Sequence, residues 1–310
     1  MNGIATRLGA WLDAAGAARS MQRFHDGWPA SASPGVRFHR SPKVQFRYRE
    51  AGAGRTIVFT ADPPMTLETY DALVATFAPH FRVLVVELPA MGFSATTADF
   101  GFGWRETNDE LTHFLRAVAG PGAIFAFSCV AGLAALDIAA RTPELCSHLA
   151  LIQTGDPAAF AVWKAARDPK RVLAKPILGQ VAMKQMAAKR MPAWYKLSVG
   201  RPDMIDGFCA CAARSFTHGA MWSLASAYQI YMNDGLVLPA PPQPVLSIWG
   251  DADRSHPDAN RHTLKRIVPN LREASFADLG HTAELEDPAR VLAEIQAFLG
   301  TAVVPAGVGA

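Results

Sequence analysis

Cysteine is scarce: the four present, Cys129, Cys146, Cys209 and Cys211, include no Cys-x-x-Cys pair and no histidines at zinc-finger spacing. That argues against a disulfide-stapled scaffold and a structural zinc site, and predicts reduced thiols in a cytoplasmic protein. No apolar run is long enough to cross a bilayer, and the first 23 residues lack the apolar stretch of a secretory signal. Charge of one sign is missing too. The net charge is only +3, and no run of Lys and Arg is interleaved with aromatics, so nucleic acid is not expected as a partner. What the chain does have is apolar residues, half of its 310, which suffice for one sizeable core.

Ile4, Leu8, Trp11 and Leu12 recur at helical spacing, with Arg7, Arg19 and Arg23 between and beyond them. The pattern predicts an extra helix packed on the core, within an extension over residues 1–35; docking on a carrier protein or a membrane surface is the alternative. Residues 36–39 and 44–48, after a turn-rich stretch over 27–35, alternate apolar and polar, as the strands of a half-exposed hairpin do. Residues 55–60, 83–87 and 149–153 are short, nearly continuous apolar runs that suit buried parallel strands. Helical stretches at 67–77 and 104–118 lie between them, so a mostly parallel sheet with helices on both faces is expected. The alternation stops over residues 157–238, which are rich in Ala, Met, Lys and aromatics, with helical patches at 160–167, 171–191 and 204–231. It resumes with a strand at 244–250, a helix at 257–267, a strand at 272–276 and a helix at 288–299. The tail over 301–310, small residues and Pro, should be loose.

The stretch Ile124-Phe-Ala-Phe-Ser-Cys-Val-Ala-Gly132 reads as strand, sharp turn, helix. Such a turn holds one side chain up at the end of a sheet and leaves the next backbone N–H free for an oxyanion. Ser128 and Cys129 compete for the tip, and each choice has one bulky flank. Two later segments, Trp249-Gly-Asp-Ala-Asp253 and Leu279-Gly-His-Thr-Ala-Glu-Leu-Glu-Asp-Pro288, together with Glu87-Leu-Pro-Ala-Met-Gly-Phe-Ser94, resemble the acid loop, histidine loop and D-x-x-G-x-G-x-S loop of the α/β-hydrolase superfamily. The resemblance covers roughly residues 36–299. It places the superfamily's A-A-R-x-P helix ending on Ala139-Ala-Arg-Thr-Pro143, in register from Cys129 rather than Ser128.

The resemblance implies an α/β fold: a mostly parallel α/β-hydrolase sheet flanked by helices, formed by residues 36–156 and 239–300, with a helical lid of residues 157–238 inserted between late strands. It implies Cys129 as nucleophile, His281 as base and Asp253 as acid, with Asp156 as the second candidate acid because some cysteine-dependent relatives, the Dieckmann cyclases, carry theirs at that earlier strand end. The backbone N–H of Val130 is one expected oxyanion donor. Where relatives carry His-Gly this chain has Thr60-Ala61, and Pro63 and Pro64 have no N–H, so Ala61 or Asp62 must supply the second. The Asp62 side chain could cap the next helix or repel an oxyanion; capping is expected. Met183, Met186, Met191, Trp194, Phe208, Trp222 and Tyr228, with Ser128 beside the nucleophile, are the expected pocket for an apolar substrate.

A thiol at a helix N-terminus beside an imidazole should have a lowered pKa. Its acyl-enzyme would be a thioester, reactive toward carbon, nitrogen and oxygen nucleophiles as well as water. The sequence therefore points to an acyl-transfer enzyme of specialised metabolism, polyketide-like acyl chains among its substrates, that releases its acyl group by cyclisation or transfer, with a carrier protein as a candidate supplier of the substrate. The alternatives are a cysteine-nucleophile ester or thioester hydrolase and a catalytically silent binding protein on the same fold. No cofactor or metal is called for.

Overall fold

The structure, a computed structural model, describes residues 3–27, 35–233 and 236–301. Residues 28–34 of the expected turn and 302–310 of the expected tail lie outside these. The strands are β1 (Val36–Arg40), β2 (Val44–Ala51), β3 (Thr56–Ala61), β4 (Arg82–Glu87), β5 (Met91–Gly92), β6 (Ala95–Thr96), β7 (Ala123–Ala126), β8 (Cys146–Ile152), β9 (Met221–Trp222), β10 (Val245–Gly250) and β11 (Arg272–Phe276). The helices are α1 (Ile4–Gly27), α2 (Asp71–Phe77), α3 (Trp104–Phe114), α4 (Val130–Arg141), α5 (Pro157–Arg167), α6 (Leu178–Ser198), α7 (Pro202–Thr217), α8 (Leu224–Gln229), α9 (Ala283–Glu286) and α10 (Pro288–Thr301).

The main sheet runs β1-β2-β4-β3-β7-β8-β10-β11, with β6 added beside β2. From β4 to β11 every pairing is parallel, while β1, β2 and β6 form the antiparallel end. The split follows composition: β3, β4, β7 and β10 are apolar on both faces and buried on both, as helix-covered parallel strands must be. One apolar layer gathers Phe46, Phe114, Leu133 and Leu136, and the other gathers Ile57, Phe59, Phe77 and Ile295. Within β2, the fully buried Arg47 is neutralised by ion pairs to Glu87 and Glu68. Glu87, in the position of the superfamily's Asp, also accepts the N–H of Phe93 at 2.7 Å and of Leu67 at 3.2 Å, and so ties the loop after β4 down.

Several elements differ from the sequence expectation. In α1 the buried side is Ala10, Asp13, Ala14 and Ala17, and Ile4, Leu8 and Trp11 face outward. The small side chains let the helix lie close, and Asp13 accepts a hydrogen bond from Ser226 at 2.7 Å. The expected helix at 171–191 is displaced to α6, which continues through Pro192 to Ser198. The expected helix at 204–231 breaks at Gly219, whose φ of 94° ends α7. The chain then forms β9, which pairs with β5 and stitches the 157–238 segment to the core. The expected helix at 257–267 is two separate 3₁₀ turns.

Candidate active site

The turn between β7 and α4 puts Cys129 at φ 56°, ψ −133°, a conformation that costs an L-residue of order 1–3 kcal/mol and is held only by its surroundings. Those surroundings are specific: Cys129 N–H donates to Ile152 O at 2.8 Å, and Thr154 Oγ1 donates to Cys129 O at 3.0 Å. Thr154 comes so near that a Cβ on Gly132 would lie 2.1 Å from its hydroxyl, so the third residue of the helix after the turn must lack one. Cys129 is therefore the residue at the tip. Ser128 lies behind it, fully buried, donating to Glu284 Oε1 at 2.8 Å, and it does not line the cavity described below.

Across from the thiol, His281 Nδ1 lies 2.9 Å from Asp253 Oδ2. The loops carrying the two residues pack backbone to backbone: a Cβ on Gly250 would sit 1.9 Å from Gly280 O, so glycine is obligatory there. Glu286 steadies the histidine loop, its carboxylate accepting the N–H of Gly280, Gly200 and Arg201. Asp253 accepts three more bonds, from Gln153 Nε2 at 2.9 Å, Ser255 N–H at 2.7 Å and His256 Nδ1 at 2.9 Å. Asp156, the second candidate acid, is placed elsewhere. It caps α5 through Ala159 N–H at 2.8 Å and pairs with Arg266 at 3.0 Å.

Asp62 departs from expectation. It caps no helix. Its largely buried carboxylate turns inward, Oδ2 lying 3.1 Å from His281 Nε2, and its own N–H is taken by the Tyr70 hydroxyl at 3.0 Å. Ala61 is the last residue of β3, in register with Glu87, and does not line the cavity. Of the three expected oxyanion donors, Val130 N–H is directed at the Cys129 sulfur. The carboxylate of Asp62, the Cys129 sulfur and the His281 imidazole lie within 4.8 Å of one another, as do the donor atoms of Asp253, His256 and His281. Either trio has the donor types of a divalent-metal site, but in the second both imidazoles already donate to Asp253.

The chain superposes on an N-acyl homoserine lactone degrading enzyme with a TM-score of 0.65 and 17% identity, over 84% of this chain and 100% of that one. An epoxide hydrolase of Bacillus megaterium gives 0.62 and 16%, over 86% and 100%. A thermophilic esterase of Thermogutta terrifontis gives 0.62 and 19%, over 86% and 97%. The chain has the α/β-hydrolase fold. No family model and no curated protein sequence matches it, and at these identities the likeness is one of fold.

In this α/β-hydrolase fold the elbow opens into a cavity of about 480 Å³ bounded by residues of the sheet-bearing core and of the 157–238 segment. Cys129, Val130 and Asp62 line it, with Phe100, Phe102 and Leu111 from the core and Tyr231 from the 157–238 segment. Of the expected pocket residues, Met183, Met186, Trp194, Trp222 and Tyr228 line it, and Trp194 also sets its ring edge-to-face on His281 at 5.8 Å. Phe208 and Met191 do not: they are buried in the other apolar layer, Phe208 against Tyr195. Among the described residues no helix is long and apolar enough to cross a membrane.

The protonation pattern is not the expected one. Burial pushes the Cys129 thiol up, and the Asp62 charge adds to this; the imidazole of His281 and the N–H of Val130 offset it only in part. Burial opposes charge on His281 too, but Asp253, the Cys129 sulfur and the bond to Asp62 hold it well above its ordinary value. Asp253 is likewise desolvated, yet His281 and His256 keep its carboxyl well below the usual carboxylate range. The pKa of His256 is lowered, chiefly by burial. Thiol and imidazole are thus both shifted toward their protonated forms, with Asp253 against one ring nitrogen of His281 and Asp62 against the other. Sequence reasoning missed His256, Gln153 and the role of the Asp62 side chain; only the D-x-x-H spacing from Asp253 to His256 was visible in advance.

Proposed function

We propose that this protein is an acyl-transfer enzyme that takes an apolar acyl group from a thioester or ester onto Cys129 and releases it by cyclisation or transfer. The observation that carries the reading is the thiol at a strained elbow, facing a large apolar cavity, with His281 and Asp253 against it. The strain is characteristic of a residue held for chemistry rather than for packing.

The proton inventory sets the steps. His281 passes its Nε2 proton to Asp62 and accepts the proton of Cys129, and the thiolate attacks the acyl carbonyl. The oxyanion faces Val130 N–H, and Asp62, now neutral, no longer repels it. The carbon–sulfur or carbon–oxygen bond of the donor breaks, and the leaving group takes the proton from Asp62. In release, Asp62 takes the proton of the acceptor, whose electron pair displaces Cys129 from the acyl carbon; the thiolate is reprotonated by His281, which recovers its proton from Asp62. The carboxylate in place of a second oxyanion donor thus supports a reaction in which the acceptor must be deprotonated.

Plain hydrolysis is the second reading, favoured by the lactone-degrading enzyme and the esterase among the structural neighbours. Intact-protein mass after mixing wild type, Cys129→Ala and Ser128→Ala with octanoyl thioester tests both. An adduct of one octanoyl group on wild type and Ser128→Ala, absent from Cys129→Ala, is the expected result. Free octanoate as sole product of that adduct, with every acceptor offered, would move the assignment to a hydrolase. Absence of any adduct and of any turnover, despite binding of the chain, would make this a silent binding protein.

A further inference from the structure

The lid is far more cationic than the chain. Residues 157–198 carry nine lysines and arginines against a single acid, Asp168, although the whole protein is only +3. That acid is turned inward: Asp168 is buried and its carboxylate accepts the N–H of Val172 at 2.8 Å and of Ala174 at 3.0 Å. Lys164 is also used, donating to Tyr228 O at 3.2 Å. The other eight form no ion pair with a described residue.

Three of these eight, Arg167, Lys170 and Arg190, line the cavity that holds Cys129. Lys170 and Arg190 are exposed as well as lining, which places them at its rim. Arg167 is partly buried, and its Nε is buried with no hydrogen-bond partner among the described residues. Desolvating a guanidinium N–H without a partner is costly, and an anion arriving there would remove that cost. An uncharged ester needs no such rim.

We infer that Arg167, Lys170 and Arg190 form a phosphate-binding rim that selects acyl thioesters whose thiol arm carries phosphate, the coenzyme A or phosphopantetheine class. This rests on the acyl-transfer reading and names its donor. The acyl chain enters the apolar cavity toward Cys129, and the phosphorylated arm remains at the mouth. Released thiol leaves with its phosphates intact. A rim of this kind acts mainly on encounter and is weakened by salt.

The test compares the rate of Cys129 octanoylation by octanoyl-coenzyme A, octanoyl-phosphopantetheine, octanoyl-pantetheine and an octanoyl-loaded acyl carrier protein, alongside calorimetric binding of coenzyme A itself to the Cys129→Ala protein. Expected is a preference of about tenfold or more for the phosphorylated donors over octanoyl-pantetheine at low salt. The preference should fall toward one at 300 mM salt, with Lys170→Glu/Arg190→Glu, and not with Arg40→Glu on β1. A preference shared by coenzyme A and phosphopantetheine supports a rim that reads the phosphate itself; one confined to the loaded carrier overturns it in favour of protein recognition. Equal rates for all donors, with no coenzyme A binding, sink the rim and leave the acyl-transfer reading standing. Coenzyme A binding lost in the double reversal, with no acylation by any donor, keeps the rim and sinks the acyl-transfer reading. If the reversals abolish sedimentation with phosphatidylglycerol vesicles while coenzyme A binding is unchanged, the cationic face is a membrane dock and the inference fails.

Discussion

The rings of His256 and His281 stack at 4.9 Å with 20° between their planes, and both turn Nδ1 to the same oxygen of Asp253 at 2.9 Å. His256 is in turn stacked on Trp163 at 5.6 Å. The acid is thereby held by two imidazoles, and the ring of His281 is fixed by stacking as well as by its hydrogen bond. Replacing His256 by Phe keeps the stack and removes one donor to a charged acceptor, worth about 1.5–3 kcal/mol. The rate of Cys129 acylation should fall roughly tenfold to hundredfold, with the midpoint of its pH profile displaced and the fold intact by circular dichroism. A variant acylating at the wild-type rate with an unmoved profile would show that the shared acid gains nothing from the second histidine.

Asp62→Asn keeps the size of the side chain and removes its basicity. Because His281 must hand its Nε2 proton to Asp62 before it takes that of Cys129, the variant should acylate more slowly even with phenyl thiooctanoate, whose leaving thiolate needs no proton. Release to acceptors that must be deprotonated should slow by roughly 10²–10⁴-fold, the usual range for a general base. Hydroxylamine, which attacks without such help, should discharge the accumulated adduct as hydroxamate. Release from Asp62→Asn as fast as from wild type would remove Asp62 from the mechanism.

Position 129 should invert the ordinary order of alanine and glycine. A glycine at the start of a helix is entropically unfavourable, but at φ 56°, ψ −133° alanine bears the strain and glycine does not. Cys129→Gly should therefore be more stable than Cys129→Ala by about 1 kcal/mol in urea unfolding, with neither forming an adduct. The opposite order would mean that the turn relaxes when the thiol is removed.

Glu284 sets a pH dependence of stability. Burial raises its carboxyl to about 7, with Asp62 adding to the effect and its own backbone N–H, the Ser128 bond and His281 opposing it. A raised acid keeps its proton in the folded state where the unfolded chain has lost it, so stability falls as pH rises from the unfolded value near 4.5 to about 7 and is flat beyond. Glu284→Gln should flatten that segment, gaining on the order of 2–3 kcal/mol relative to wild type at pH 8 over pH 5. A thermal-unfolding series with parallel curves for the two proteins would contradict it.

The sequence by itself determined the alternation of buried strands and covering helices, the elbow at residues 124–132, and the chain order of Cys129, Asp253 and His281. These are local facts, because apolar runs, glycines at close approaches and a strand-turn-helix pattern act on near neighbours. Only the tertiary structure decided that Ser128 is turned away to Glu284, that Asp253 rather than Asp156 lies against His281, and that Asp62 faces the imidazole while Tyr70 occupies its N–H. Each of those outcomes depends on atoms brought from distant parts of the chain, and spacing within one segment carries no information about them. The same holds for α1, where the larger apolar residues predicted a buried stripe and the alanines took it: which face a helix buries depends on how closely its neighbour can approach, a property of the partner surface rather than of the helix.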